Sequence, residues 1–150
     1  MSDSYLRLIP EDPAFLPDAA CVAVALDLLR GFAPKAEAVT SEEFSDIRFI
    51  DQGNNFERVL CPSCRSDITE VWSEWMDVAA ESSFEDRSVT PPCCTKPSDL
   101  NNLLYEWPAG FARFALCATN PSLDGWLPDE ERRRIEQALG CSLRQVQAHV

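Results

Sequence analysis

The sequence predicts an α+β fold: a ferredoxin-like split β-α-β sandwich interrupted by a zinc-ribbon-like lobe that contains one helix. Three observations carry this reading. Both ends of the chain show the order strand, helix, strand. The turn-forming run Asp51-Gln52-Gly53-Asn54-Asn55 marks an abrupt change of character. Four of the seven cysteines and three of the four tryptophans then fall between Phe56 and Trp107. Two split strand-helix-strand halves commonly build one antiparallel sheet with both helices on the same face. The predicted units are a discontinuous sandwich, residues 1–55 and 111–150, and an inserted lobe, residues 56–110.

Tyr5 to Ile9 reads as a strand stopped by Pro10, with Pro13 and Pro17 punctuating the connection. Asp18 is placed to cap a helix whose apolar face is Val22, Ala25, Leu26, Leu29 and Phe32, ended by Gly31 and Pro34. Two extended segments follow, about Glu37 to Val39 and Asp46 to Ile50. In the lobe, Phe56 to Leu60 reads as a strand leading into Cys61. Asp67 with Glu70 has the spacing of a capping box. Behind it Ile68, Val71, Trp72, Trp75, Met76 and Ala79 mark a helix with a broad apolar face. Short strands are predicted at Ser88 to Thr90 and Leu103 to Trp107. Phe111 to Ala118 is a further strand, ended by Asn120-Pro121. Pro128 suits the first position of a helix, with Asp129, Glu130 and Glu131 in its first turn, where the helix dipole favours carboxylates. Ile135, Ala138 and Leu139 form its apolar face and Gly140 its stop, and Leu143 to Val150 is the last strand.

The chain of 150 residues is 45% hydrophobic, enough for one domain with a core and a small appended unit. It contains no apolar run of membrane-spanning length and no signal-peptide pattern, so a cytoplasmic setting and no membrane partner are expected. The formal charge is −12. Residues 1–55 and 56–107 each carry four Lys/Arg against ten Asp/Glu, whereas residues 108–150 carry five of each. Such a surface repels phosphate backbones, which disfavours nucleic acid, and suits another protein, above all a basic one.

Cys61-Pro62-Ser63-Cys64 is the most informative motif. Two cysteines separated by two residues, one of them proline, suit a tight turn that aims both thiolates at one cation. Pro92-Cys93-Cys94 supplies a second pair after 28 intervening residues. The predicted metal ligands are Cys61, Cys64, Cys93 and Cys94, holding one structural zinc ion. Four thiolates close the coordination sphere and leave no position for a reacting water. Adjacent cysteines converge only where the backbone turns sharply, so the rival reading has one ligand missing or replaced, or thiols merely packed. Cys21, Cys117 and Cys141 read as small buried residues. Trp72, Trp75 and Trp107 read as core beside the metal, with an exposed aromatic contact patch as the sharper alternative. His149 is the single histidine, near the end of the last strand. No catalytic constellation is found, and the five glycines form no phosphate-binding loop.

The run Arg48 to Glu57, the two cysteine motifs and Tyr105-Glu106-Trp107-Pro108-Ala109-Gly110-Phe111-Ala112-Arg113-Phe114 resemble a family of uncharacterised bacterial proteins of similar length. The resemblance covers nearly the whole chain and implies no particular activity. Some members carry a label of sugar ABC transporter ATPase, an activity whose nucleotide loop this sequence lacks. The family has Gly after the paired cysteines; here Thr95 stands in that place. The expected function is a zinc-binding, non-catalytic protein-interaction module, possible roles including immunity- or antitoxin-like ones. The alternatives are an enzyme with a pocket between the lobes, and a nucleic-acid binder with a basic face gathering Arg7, Arg48, Arg58 and Arg113.

Overall fold

A computed structural model describes residues 2–150. The chain runs β1 (Ser4–Pro10), α1 (Ala19–Phe32), β2 (Ala38–Ile50), β3 (Val59–Leu60), α2 (Thr69–Ala80), β4 (Ser88–Val89), β5 (Ser98–Asp99), β6 (Leu104–Tyr105), β7 (Gly110–Thr119), α3 (Asp129–Leu139) and β8 (Leu143–His149). Four long strands make one antiparallel sheet in the order β2-β7-β1-β8. The short strands make two separate ribbons, β3 with β6 and β4 with β5.

The sheet is organised by β7, which pairs with β1 (Leu8 opposite Leu116) and with β2 (Ile50 opposite Gly110). Its sequence, GFARFALCAT, is buried at almost every position, as a central strand covered on both faces requires. Phe114, Leu116 and Ala118 meet Leu6 and Leu8 on one face, under Ala25 and Leu29 of α1 and Ile135 and Leu139 of α3. Both long helices therefore cover the same side. Helix α1 continues through Gly31, because Phe32 and Ala33 still have core to pack against; the Ala33 N–H donates to Leu29 O. Asp18 stands at its N-cap, but its side chain makes no capping bond. Helix α3 stops at Gly140, whose φ of 82° lets its N–H reach Glu136 O. Pro128 sits one residue earlier than predicted, at the N-cap.

The sequence predicts two extended segments where there is one strand. β2 runs unbroken through the polar stretch Thr40–Phe44, because its edge position leaves one row of side chains in water and removes the apolar alternation. Its register jumps between Glu43 (opposite Phe114) and Arg48 (opposite Ala112), so residues 44–47 stand against Arg113 alone. Such a bulge bends the strand. The segment beyond it reaches the other end of the sheet order: Gly53 bridges His149 of β8, and Asn54 N–H donates to His149 O at 2.7 Å. Gly53, at φ 57°, has no room for a Cβ against that carbonyl. On the face away from the helices, Phe44 packs over Ile9, Ile50, Ala112, Ala115 and Val146.

Between β2 and β7 the lobe builds its own core from Val59, Ile68, Ala79, Val89, Leu100, Leu103 and Tyr105, joined to the sheet by Ile47 and Phe111. The joint is also polar. Asn101 is buried; its Oδ1 accepts from Phe111 N–H at 3.0 Å and from Arg144 Nη1 at 3.2 Å, and its Nδ2 donates to Glu11 O at 3.1 Å. Arg144 also donates to Ala109 O and pairs with the Glu11 carboxylate at 2.8 Å. Replacing Asn101 with Ala leaves a buried N–H and a half-buried arginine short of an acceptor. The expected loss of unfolding free energy is about 2–3 kcal/mol, measured by denaturant titration.

Candidate metal centre

The two cysteine motifs are built alike. In the first, Arg65 N–H donates to Cys61 O at 2.9 Å and Arg65 has φ 62°; in the second, Thr95 N–H donates to Pro91 O at 2.9 Å and Thr95 has φ 54°. Each is a five-residue turn with proline, Pro62 or Pro92, as its second residue, where a preset φ favours turning. Cys64 and Cys94 hold the same place in their turns. Their companions differ: Cys61 opens the first turn, whereas Cys93 sits just before Cys94. The sharp bend is how adjacent side chains face one point instead of diverging as in a strand.

The first turn hangs from β3. Cys61 N–H donates to Ser66 O, and Ile68 N–H to Val59 O. Asp67 Oδ1 accepts from both the N–H and the hydroxyl of Thr69, at 2.9 and 2.7 Å, and Val59 N–H donates to Thr69 Oγ1. These bonds start α2 and hold Asp67 below the usual carboxylate range. They replace the predicted capping box: Asp67 acts through Thr69, and Glu70 is exposed. The second turn hangs from β4 through buried Pro91.

The result places Cys61 Sγ 3.4 Å from Cys94 Sγ and Cys64 Sγ 3.3 Å from Cys93 Sγ, with all four sulfurs within 4.8 Å of one another. Sulfurs held at about 2.3 Å around one tetrahedral ion lie about 3.8 Å apart, inside this range. The donor set and spacing fit a metal ion such as zinc. Cys61 is buried and Cys94 half-buried against the lobe core, while Cys64 and Cys93 are exposed. Backbone N–H groups of Cys64 and Ser63 pull the Cys61 thiol down to about 6, against its own desolvation. Cys64 is lowered by Ser66, whose Oγ lies 3.2 Å from its sulfur. Cys93 is pushed up to about 12, chiefly by its hydrogen bond with Cys64 and then by partial desolvation of its sulfur within the cluster. Ser66 had no sequence signal of this role, since nothing about a serine after Cys-x-x-Cys fixes its rotamer.

The other singled-out residues separate. Trp72 donates its Nε1–H to Tyr105 Oη at 3.2 Å and stacks on Phe56 with centroids 5.4 Å apart; Tyr105 in turn donates to Leu100 O. Burial holds the Tyr105 hydroxyl protonated well above its ordinary range. Trp107 points outward, 40% exposed, 6.4 Å from Trp126. Cys117 is buried and Cys21 and Cys141 half-buried; burial raises the Cys117 thiol and pushes Cys141 to about 11. His149 Nδ1 lies 3.3 Å from Ser4 Oγ, at a cleft of about 600 Å³ bounded also by Asn55, Trp107 and Asn120. Among the described residues no carboxylate pairs with that imidazole. Arg58 is bound to Glu106 at 2.9 Å, and Arg113 donates to Phe44 O. Arg7 and Arg48 share a shallow hollow with Glu42 and Asp51. Among the described residues no helix is long and apolar enough to cross a membrane.

Compared with protein-family models, curated proteins and solved structures, the chain finds no significant match.

Thr95 occupies a left-handed conformation that costs a β-branched residue about 1–2 kcal/mol. Thr95→Gly relieves it, less the entropy glycine returns to the unfolded chain. The expected outcome is a gain of up to about 1 kcal/mol and a higher Tm, measured on metal-loaded protein.

Proposed function

We propose that this protein is a non-catalytic module in which one structural zinc ion, held by Cys61, Cys64, Cys93 and Cys94, fixes a small lobe for contact with another protein. The observation that carries the reading is the convergence of four sulfurs, from two proline-led turns, within 4.8 Å. Soft thiolates in a tetrahedral set suit zinc, and four of them leave no open position for chemistry. The strand order β8-β1-β7-β2, with α1 and α3 on one face, supports a ferredoxin-like arrangement for the sheet unit. Two ribbons each leading into a cysteine turn support a zinc-ribbon-like lobe.

A zinc ion with four thiolates carries net negative charge, which adds to a lobe already rich in carboxylates. A basic partner fits that surface, and an immunity- or antitoxin-like role against a basic protein is one form of it. Engagement of Arg58 and Arg113 within the fold argues against a nucleic-acid face. Among the described residues no third group orients the imidazole of the Ser4–His149 contact, which argues against an acyl-transfer site.

Metal analysis of purified protein is expected to return one zinc per chain, and Cys64→Ser or Cys93→Ser to abolish stoichiometric binding. A clean, folded, metal-free sample overturns the reading. Chelation should lower Tm by about 10 °C or more, because ion binding is coupled to folding of the lobe. Loading converts thiols to thiolates and so releases protons. The ion's contribution is therefore full at alkaline pH and shrinks as pH falls, which cobalt substitution followed by its thiolate absorption band would read directly.

A further inference from the structure

Helix α2 carries three parallel rows of side chains. Ile68, Trp72 and Ala79 face the lobe core. Beside them Val71, Trp75 and Val78, at positions i, i+4 and i+7, form a second apolar row; Val71 and Trp75 are half-buried and also touch the lobe core, while Val78 is 66% exposed, more than any other large apolar residue among those described. Next to that row run Glu70, Glu74, Asp77 and Glu81, at i, i+4, i+7 and i+11, all exposed. None of these four joins an ion pair among the described residues. The stretch between Arg65 and Arg87 holds no Lys or Arg at all. Like charges at i, i+4 destabilise an isolated helix, so a stripe of carboxylates with no cation among them is a cost that α2 bears.

Two hollows continue the row. One, of about 550 Å³, is bounded by Asp67, Glu70, Val71, Glu74 and Cys93. The other, of about 360 Å³, is bounded by Trp75, Val78, Glu81, Asp86 and Leu100. They lie at opposite ends of the same helix, and each is lined by both apolar residues and carboxylates.

We propose that the outer face of α2 is the docking surface of the interaction module, and that its occupant is a basic amphipathic helix of another protein. This rests on the reading of the chain as a protein-binding module and names the surface it uses. An apolar row at i, i+4, i+7 matches the groove of a second helix packed at a shallow angle. The acidic row takes the place that flanking charged positions hold in paired helices, where they select a partner of opposite sign. The length of α2, 12 residues, sets the docked segment at about three turns. A second copy of this chain is excluded as occupant by the same row, which would face its own charge.

The test uses full-length, zinc-loaded protein and a synthetic peptide of leucine and lysine arranged for an amphipathic helix, beside a scrambled peptide of the same composition. Binding is read by calorimetry and by the blue shift of tryptophan emission, compared with that of a Trp75→Phe variant. The amphipathic peptide is expected to bind at least tenfold more tightly than the scrambled one, and to weaken steeply with added salt. Glu74→Lys with Asp77→Lys should weaken it at least tenfold, and Val78→Ser several-fold. Glu42→Lys with Glu43→Lys, the same charge change at exposed positions of β2, should alter it less than twofold. Equal binding of the scrambled peptide, or equal loss in the β2 variant, overturns the proposal as mere attraction to an acidic protein. Circular dichroism and zinc content, measured on every variant, keep misfolding apart from lost contact. Full zinc loading with no selective peptide binding sinks the surface and leaves the metal reading standing. Selective binding by folded, metal-free protein does the reverse.

Discussion

The lobe depends on bringing two distant turns to one point. Its regular structure is meagre: four strands of two residues each, one helix of 12 and a single 3-10 turn at Leu100–Asn102. Two-stranded ribbons of that size do not persist on their own. What they have is a short aromatic core beneath and a sulfur cluster at the rim. Closing the cluster ties β3 to β4 across the whole of α2, a constraint that hydrogen bonds within either ribbon cannot supply. The orientation of α2 between the two turns is set by the Asp67–Thr69–Val59 bonds at its start and by its packing on the lobe core.

The sheet and the lobe are coupled by two unlike contacts. Phe111 enters the lobe core from the first residues of β7 and touches Phe49 and Phe84. Asn101 returns the contact from the lobe side, meeting Arg144 and the Glu11 carbonyl. Gly110, between them, has Arg144 Nη1, Asn101 Oδ1 and Ile9 Cδ1 within 3.0 Å of where a Cβ would stand. The apolar contact supplies area, and the polar one fixes the angle at which it is made.

Much of this was legible in the sequence where periodicity or punctuation is strong. The three helices, the change of character after Asn55 and the Cys-Pro-x-Cys turn all rest on local signals that tertiary packing did not override. Edge strand β2 was only half legible, because an exposed strand of Thr, Ser and Glu has no apolar alternation to read. The meeting of Cys93 with Cys94 at one point was conditional on a sharp bend, and the sequence offered Thr95 where such a bend prefers glycine. Asn101 and Arg144 gave no sign, since a hydrogen-bonded joint between remote segments leaves no spacing pattern. The acidic stripe on α2 was visible as composition, but its alignment beside an uncovered apolar row needed the helix's orientation.

Ile50 stands opposite Gly110, so the lobe leaves the sheet and rejoins it at neighbouring positions. To the sheet, the entire lobe is the tip of one hairpin. Strand register below it is set by β2 and β7 themselves, and changes on the lobe's outward surface do not propagate into that register. The outer surface of that tip can therefore change in sequence or length while the platform that presents it keeps its own packing.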